Sequence, residues 1–521
     1  MNLLTRFPTP SPPSLPPSLP LSWLSAALLF LLPSLAVVPA GCDRPDPADP
    51  DAHAEAHDVR PIAIHEANPF YWEYDGEPVL LVGGSREDNL FNHPEGLEAH
   101  LDTLMANGGN YIRNTMSSRN PGNPWPFLQL EDGRYDLEQW DPEYWERFEN
   151  LVAMSAERDI IIQIEVWDPW DYFQSEAELS HGPNVGWESN PYNPALNINY
   201  TPEESRLDTE IEGFPAGQPS DHLFFHTVPE LEDIPVVRRY QERFVEKILS
   251  ITLRYPNVIY CMNNETGEHP EWGVYWANFI RDHARQQDRE VYLADMRYST
   301  DLQTEDHRRL LHDRENFDFF EVSQNNNNVN DQVHYDRLME IREQILDQPK
   351  PLSNVKIYGG RPAWTTSAEE GTRRFWRNVF AGSASVRFHR EGPEPHYFGI
   401  GLSELARTHI KSMSLFTERF HVFTAEPANH LLGNRDPNEA YALAEPGRQY
   451  AVYYTNGGSV ELDMSGSEGE WELRWLDIFA SGWYRNDDGE KVVQTLSLNN
   501  SQTIALQAPG DGQWLALLLS Q

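Results

Sequence analysis

Residues 257–267 read Asn257-Val258-Ile259-Tyr260-Cys261-Met262-Asn263-Asn264-Glu265-Thr266-Gly267, and this stretch predicts the fold of the chain. Its first half is a continuous apolar run, which is typical of a parallel strand buried on both faces. Pro256 ends the preceding helical pattern, because proline cannot continue a helix. The run then ends in two amides and a carboxylate, and functional groups of (β/α)8 barrels lie where the strands end. The stretch therefore predicts a barrel strand with Glu265 at the functional face, although a cap for the following helix is the alternative interpretation of Glu265.

Apolar runs alternate with helical periods on both sides of this stretch. The predicted strands, one to eight, are residues 79–82, 111–114, 160–166, 258–262, 291–294, 317–322, 355–358 and 385–389. The clearest predicted helices are residues 97–105, 144–156, 236–253, 272–284, 369–380 and 405–416. Eight strands that each lead to a helix give the count of a TIM barrel. Residues 172–231 lack such periods, and insertions of this length are usually functional loops, so we expect them over the active face.

The periodicity becomes short and strand-like beyond about His421. Residues 450–454, the turn Asn456-Gly457-Gly458 and residues 460–462 predict a β-hairpin. Alternation returns at residues 471–475 and 503–506. The fold class is therefore α/β, with a (β/α)8 TIM barrel over residues 61–420 and a C-terminal all-β sandwich domain over residues 421–521.

The N-terminus predicts export. Residues 1–42 contain an apolar segment at 21–38 and end in Ala-Gly-Cys, which resembles a bacterial lipobox in which Cys42 is acylated. Pro39 departs from that motif, which prefers leucine there, so an ordinary cleaved signal and a retained membrane helix are alternatives. Residues 43–60 form an acidic Pro/Ala linker without aromatic side chains. We expect export across a bacterial inner membrane and lipid anchoring to the cell envelope, in the periplasm or at the cell surface.

Composition excludes several classes of partner. The net charge is −41, from 81 acidic and 40 basic residues, which repels nucleic acid and anionic membrane surfaces. This acidity is also typical of proteins adapted to saline surroundings. The two cysteines, Cys42 and Cys261, form no disulfide framework. The sequence has no P-loop, dinucleotide fingerprint, HExxH motif or Cys/His cluster, so we predict neither a cofactor nor a metal.

Several motifs resemble one family in the order of the chain. The segments at residues 70–83 and 108–113 resemble the first two strands of the DUF4038 glycosidase barrels, which include apiosidase-like enzymes. Asn264-Glu265 resembles the acid/base signature of the retaining-glycosidase clan with barrel folds. Residues 450–458 and 471–477 resemble the collagen-binding-type β domain that follows such barrels. The resemblance implies a glycoside hydrolase acting on a plant or algal polysaccharide or its oligosaccharides.

Glycoside hydrolysis uses two carboxyl groups, one of which protonates the leaving oxygen. The resemblance makes Glu265 the general acid/base, and an aromatic mouth would raise its pKa. Glu321, at the end of strand six, is our predicted second catalytic residue. The other candidates for the second carboxylate, each of which could instead form a structural ion pair with an arginine, are Glu165, Asp168 and Asp88. The family carries its nucleophile at the end of strand seven, where this chain has Arg361 before Pro362.

The predicted substrate-binding residues surround the same strand ends, and they are Asn264, Arg113, Trp167, Asp168, His389 and Arg361. Asn264 would bind a sugar hydroxyl, and His389 would orient a carboxylate or sugar unless it is a core histidine. Arg361, Arg387 and Arg86 near one mouth would suit a uronic acid. Two other functions remain open. The loss of the family nucleophile favours a non-catalytic glycan-binding lipoprotein, and a tyrosine or histidine base with a neutralising arginine would favour a polysaccharide lyase.

Overall fold

The computed structural model describes residues 59–521, apart from 121, 174–185, 212, 214–217, 328, 361–366, 392–397, 487 and 500–501. The described residues form one compact unit. Two predicted site residues, Cys42 and Arg361, lie outside the described residues. Within the described residues, no helix combines the length and the apolar composition that a membrane span requires.

Strands and helices alternate through the first part of the chain, and only strands follow. The strands are β1 Ala63–Ile64, β2 Trp72–Tyr74, β3 Glu77–Val79, β4 Leu81–Gly84, β5 Tyr111–Thr115, β6 Phe127–Gln129, β7 Tyr135–Trp140, β8 Ile161–Trp167, β9 Val258–Asn263, β10 Leu293–Ala294, β11 Phe320–Glu321, β12 Leu352–Ser353, β13 Ser385–Phe388, β14 Glu426–Pro427, β15 Leu432–Gly433, β16 Ala440–Glu445, β17 Gln449–Tyr454, β18 Ser459–Asp463, β19 Gly469–Asp477, β20 Gly482–Trp483, β21 Val493–Leu498, β22 Thr503–Gln507 and β23 Trp514–Ser520. The helices are α1 Leu97–Ala106, α2 Pro142–Ala156, α3 Pro202–Ser205, α4 Pro235–Thr252, α5 Pro270–Arg285, α6 Glu305–His312, α7 Asp331–Glu343, α8 Ala368–Phe380 and α9 Glu404–Thr417.

Eight parallel strands form the barrel, and strands one to eight are β4, β5, β8, β9, β10, β11, β12 and β13. Six of them form one sheet in the order β10-β9-β8-β5-β4-β13, and β11 pairs with β12. Backbone hydrogen bonds close the ring, from Asp318 N to Leu293 O (2.8 Å) and from Ala384 N to Leu352 O (2.8 Å). A helix follows each strand, as the alternation predicts. The predicted (β/α)8 barrel is therefore observed.

Helix α4 shows how the sequence forms the helices that surround the barrel. Proline opens the helix, where its missing N–H costs nothing. Val237, Tyr240, Phe244, Ile248 and Ile251 recur at spacings of three or four residues, and all are buried. Fully burying each such side chain stabilises the fold by about 1.5–3 kcal/mol, so this face holds the helix against the barrel.

The predicted position of strand seven is wrong by several residues. The strand is Leu352–Ser353, and only Ile357 pairs again, with Phe388 of strand eight. In between, the backbone N–H groups of Val355 and Lys356 donate to Ser323 Oγ (2.8 and 3.1 Å) instead of a neighbouring strand. A side chain from the loop after strand six therefore interrupts the ladder, which the apolar run itself does not encode.

The C-terminal strands form two antiparallel sheets with an apolar core between them. One sheet has the order β14-β16-β17-β23-β19-β20 with β21 beside β19, and the other has the order β15-β18-β22. The predicted hairpin is wrong, because β17 pairs with β16 and β23 whereas β18 pairs with β15 and β22. Gly457 and Gly458 have positive φ angles of 66° and 112°, and their loop crosses from one sheet to the other.

The larger C-terminal sheet is covered on both faces. Alternate residues of β17 divide between two cores: Tyr450, Val452 and Tyr454 face the smaller sheet, and Ala451 and Tyr453 join the barrel core. Tyr453 stacks on Trp376 of α8, with ring centroids 5.6 Å apart. The sheet is therefore packed directly against the barrel helices.

Candidate active site

Glu265 lies directly after strand four, at the mouth formed by the C-terminal ends of the barrel strands. Its φ angle is 58°, in the left-handed region that side chains other than glycine, asparagine and aspartate rarely adopt. The helix that follows begins at Pro270 with His269 at its cap, so Glu265 is not a helix cap. Its side chain is 11% exposed, which leaves the carboxylate buried but open to the mouth.

Two side chains hold the carboxylate of Glu265. Lys356 Nζ and the Tyr358 hydroxyl donate to Glu265 Oε1, at 2.5 and 2.9 Å. Burial alone would raise the pKa of Glu265, but the charge of Lys356 and these hydrogen bonds outweigh it and lower the pKa to about 2. The sequence-based expectation of a raised pKa is therefore wrong, and Glu265 is ionised at neutral pH.

The amide of Asn264 connects this carboxylate to a second acidic residue. Asn264 Oδ1 accepts a hydrogen bond from Lys356 Nζ, and Asn264 Nδ2 donates to Asp168 Oδ1 at 2.9 Å. Asp168 in turn forms an ion pair with Arg119. Both ends of the Asn264 amide are therefore engaged by the protein, which orients the amide across the mouth.

Arg113 joins two more carboxylates. It donates to both oxygens of Glu165, at 2.7 and 2.6 Å, and its other terminal nitrogen lies 2.7 Å from Asp88 Oδ1. Asp88 also lies 2.9 Å from Arg390 Nε and 3.5 Å from His389 Nδ1. Burial lowers the pKa of His389 to about 3 although the charge of Asp88 opposes this change, so His389 is neutral. Asp88 and Glu165 therefore form structural ion pairs, which was the alternative interpretation of both residues.

Glu321 lies inside the barrel rather than at its opening. Its side chain accepts hydrogen bonds from Gln163 Nε2 (3.2 Å), Ser323 N (3.0 Å) and Ser323 Oγ, and the residue is 2% exposed. Burial raises the pKa of Glu321 to about 7, although these hydrogen bonds oppose the rise. Glu321 is therefore less accessible than Glu265, which is 8% exposed.

Trp167 and Arg387 also differ from their predicted roles. Trp167 has no exposed surface and packs among aromatic rings of the outer helices, 5.4 Å from Phe244 and 5.0 Å from Trp276 between centroids. Arg387 is fully buried and donates to Val355 O and Ser85 Oγ. Neither side chain offers a surface to a sugar, so Arg387, one of the three arginines considered, does not support the binding of a uronic acid.

Four residues around the mouth were not predicted from the sequence, and they are Lys356, Tyr358, Arg119 and Glu87. One signal was present for Lys356, which is a charged residue inside an otherwise apolar run and therefore needs a partner when buried. Glu87, in the loop after strand one, is only partly buried. Burial raises the pKa of Glu87 to about 7, although the charge of Arg390 opposes the rise.

A polar cavity of about 490 Å³ lies beside the loop that carries Glu265. The residues that line it are Asp208, Asp221, Leu223, His226, Leu231, Glu232 and His269. Residues between strand three and α4 supply all but His269, which is the N-cap residue of α5. Glu268 binds the insertion to this loop, because Ser220 donates to its carboxylate and His226 Nε2 lies 3.6 Å from it. Among the described residues, no group of three or more His, Cys, Asp or Glu side chains could hold a metal ion.

The chain is similar to solved structures of glycoside hydrolases. One is a glycoside hydrolase family 5 protein from Bacteroides vulgatus, with 12% identity, coverage of 88% of this chain and 94% of that one, and a TM-score of 0.57. Another is described as a glycoside hydrolase (12% identity, coverage 89% and 97%, TM-score 0.56), and a third is a maltogenic alpha-amylase from Thermotoga neapolitana (13%, 85% and 99%, 0.50). No protein-family model matches the chain, and no curated protein matches it. At these identities the likeness shows the barrel fold alone.

Proposed function

We propose that this protein is a glycoside hydrolase and that Glu265 is its catalytic carboxylate. The observation that carries the proposal is the backbone of Glu265, which holds a buried glutamate in the left-handed region at the end of a barrel strand. Such a conformation costs about 1–3 kcal/mol and persists mainly where function requires it. The barrel shared with the glycoside hydrolases described above supports the same reaction class. The resemblance to the DUF4038 glycosidases adds a plant or algal glycan as the substrate class.

The ionisation states of the carboxyl groups indicate which one is the base and which one is the acid. An ionised Glu265 accepts a proton from water while the water oxygen bonds to the anomeric carbon and the glycosidic C–O bond breaks. The leaving oxygen then needs a proton from another carboxyl group. We assign Glu87 to that role, because it is a partly exposed residue of the loop after strand one, it precedes Asp88 of the ion network, and burial raises its pKa to about 7. The cleavage rate of the Glu87→Gln variant should no longer depend on a group that titrates near neutral pH.

The experiment compares wild type, Glu265→Gln and Glu271→Gln on a panel of plant and algal oligosaccharides. The first variant keeps the shape of the side chain and removes the base, so we expect a loss of roughly 10²–10⁴-fold in cleavage rate. Glu271 is the matched control, since it lies six residues later in the first turn of α5 and pairs with Arg309 at the surface. Equal activity of all three proteins would contradict the assignment of Glu265.

A second candidate function is glycan binding without cleavage. It is favoured by strand seven, which brings a lysine and a tyrosine to Glu265 and no second carboxylate among its described residues. Calorimetric binding of an oligosaccharide that wild type does not cleave would support this function. The lyase alternative gains no tyrosine base from Tyr358, because burial and the charge of Glu265 raise the pKa of Tyr358 well above its ordinary value.

We also propose that residues 1–42 direct export and that Cys42 anchors the protein to a membrane through a lipid. The lipobox-like ending of this segment supports the proposal. Expression in a bacterial host with Cys42→Ser should move the protein from the membrane fraction to the soluble fraction. Retention of the variant in the membrane fraction would exclude the lipid anchor.

A further inference from the structure

We infer that Lys356 is a positioning residue that holds Glu265 as an ionised carboxylate, so that Glu265 accepts a proton in the reaction and does not supply one. The inference rests on the proposed function of Glu265 and adds a second residue to it. It also reverses the role that the family resemblance implies for Glu265, which is that of the proton donor.

The geometry of Lys356 is specific to this task. Its ammonium group donates to Glu265 Oε1 and to Asn264 Oδ1, and its side chain is 1% exposed. An ion pair removed from water in this way is attractive only when its geometry is good and its other hydrogen bonds are made. Burial lowers the pKa of Lys356, and the negative charge of Glu265 opposes that fall. Each charge therefore stabilises the other.

The backbone places Lys356 for this contact. Ser323 Oγ accepts hydrogen bonds from the N–H groups of Val355 and Lys356, which interrupts the regular ladder of strand seven just before the lysine. One residue later, Ile357 pairs with Phe388, which fixes the register again. The lysine is thus held at both sides by backbone hydrogen bonds while its side chain reaches strand four.

The other titratable and charged groups near Glu265 are Tyr358, Tyr298 and Arg113. Tyr358 donates its hydroxyl to Oε1 at 2.9 Å, and the charge of Glu265 raises the pKa of Tyr298. Glu265 also interacts with the charge of Arg113, which favours the ionised carboxylate. Lys356 is the group whose removal takes away both a charge and a hydrogen bond.

The test measures the ionisation of Glu265 in wild type, Lys356→Met and Lys350→Met. Lys350 is the matched control, because it is equally buried but donates to the backbone carbonyls of Leu310 and Phe317, far from the mouth. The first readout is the pH dependence of kcat/KM, whose acidic limb reports the base of the free enzyme. We expect Lys356→Met to move this limb from below pH 4.5 to above it, because the carboxylate stays buried without its cation, and Lys350→Met to leave it in place.

The second readout separates failure of this inference from failure of the proposed function. The urea midpoint is followed against pH for each protein and for its Glu265→Gln counterpart. In wild type the folded pKa of Glu265 lies below 4.5, so its contribution to stability is present above pH 4.5 and is lost as the pH falls toward 2. In Lys356→Met the folded pKa lies above 4.5, so the contribution reverses and is lost as the pH rises. This measurement needs no substrate.

If Lys356→Met does not fold, Tyr358→Phe serves as the milder variant, since it removes one hydrogen bond and keeps the lysine. We expect it to move the acidic limb in the same direction by a smaller amount. An unchanged limb and unchanged pH dependence of the midpoint in both variants would overturn the inference. If the pH dependence of the urea midpoint reverses in Lys356→Met as expected but the protein cleaves no glycan, only the proposed function is overturned.

Discussion

The barrel mouth and the core between the C-terminal sheets bury their side chains in opposite ways. At the mouth, Asp88, Arg113, Glu165, Lys356 and Glu265 are all buried and are held by one another. Between the sheets lies a cluster of buried apolar residues that includes Val460, Leu462, Leu506 and Leu518.

The difference between buried charges and buried apolar side chains indicates what each region contributes to the protein. Apolar burial stabilises a fold without a partner, whereas a buried charge is costly unless it is paired and hydrogen-bonded. Replacing buried ion pairs by apolar residues is often neutral or stabilising, so stability alone does not explain why this chain retains so many at one end of the barrel. A functional requirement explains the buried ion pairs of the mouth better than stability does.

The largest expected effect on stability comes from breaking the ion network at the mouth. Arg113→Met leaves Asp88 and Glu165 buried without their main cation. We expect a loss of about 4 kcal/mol in the free energy of unfolding, measured by urea denaturation at pH 7. Arg134→Met is the control, because Arg134 pairs with Asp132 at the surface with about half of each side chain exposed. That variant should lose no more than about 0.5 kcal/mol, and equal losses would contradict the contrast.

The next effect tests the apolar side of the comparison. Leu462→Ala removes a fully buried side chain between the two C-terminal sheets and should cost about 3 kcal/mol in the same measurement. Val493→Ala, on the exposed side of β21, is the control and should change stability by less than about 0.5 kcal/mol. The cleavage rate of the folded Leu462→Ala protein should match wild type, because Leu462 belongs to the core between the C-terminal sheets. A large fall in that rate would mean that the two regions are coupled.

Much of the barrel could be predicted from the sequence, since buried parallel strands appear as continuous apolar runs and each is followed by a helical period. The pairing of the C-terminal strands could not. Asn456-Gly457-Gly458 has the composition of a hairpin turn, but the same glycines allow the chain to cross between sheets, and local sequence does not specify which strand becomes the neighbour. The register of strand seven was lost for a similar reason, because it depends on the hydroxyl of Ser323.

In the candidate site, too, some features could be predicted from the sequence and others could not. The positions of Asn264 and Glu265 could be predicted, because strand ends are a local feature of the chain. The ionisation of Glu265 could not, because Lys356 lies 91 residues away in the sequence and acts through space. Trp167 shows the reverse case: a tryptophan at a strand end was assigned to sugar binding, but the surrounding helices bury it completely.

A smaller effect tests the crossing between the sheets. Gly458 has φ 112°, and an added Cβ would lie 2.4 Å from the Glu439 carboxylate, which accepts a hydrogen bond from Ser459 N. We expect Gly458→Ala to lose about 2 kcal/mol of unfolding free energy. Gly466→Ala is the control, since Gly466 has a positive φ of 89° but open space around it, and it should lose about 1 kcal/mol. Equal losses would mean that only backbone strain matters there.

The smallest expected effect is that of added salt, which screens exposed charges more than buried ones. With a net charge of −41, the surface acids repel one another, and salt shortens the Debye length from about 30 Å at 0.01 M to about 3 Å at 1 M. The thermal midpoint of wild type should therefore rise as sodium chloride is added across this range. The mouth should respond differently, because buried pairs are screened much less than exposed ones. The free-energy difference between wild type and Arg113→Met should thus stay within about 0.5 kcal/mol from low to high salt. A difference that shrinks steadily with salt would show that water and ions reach the ion network, and the contrast between the buried charges of the mouth and the exposed acids of the surface would then fail.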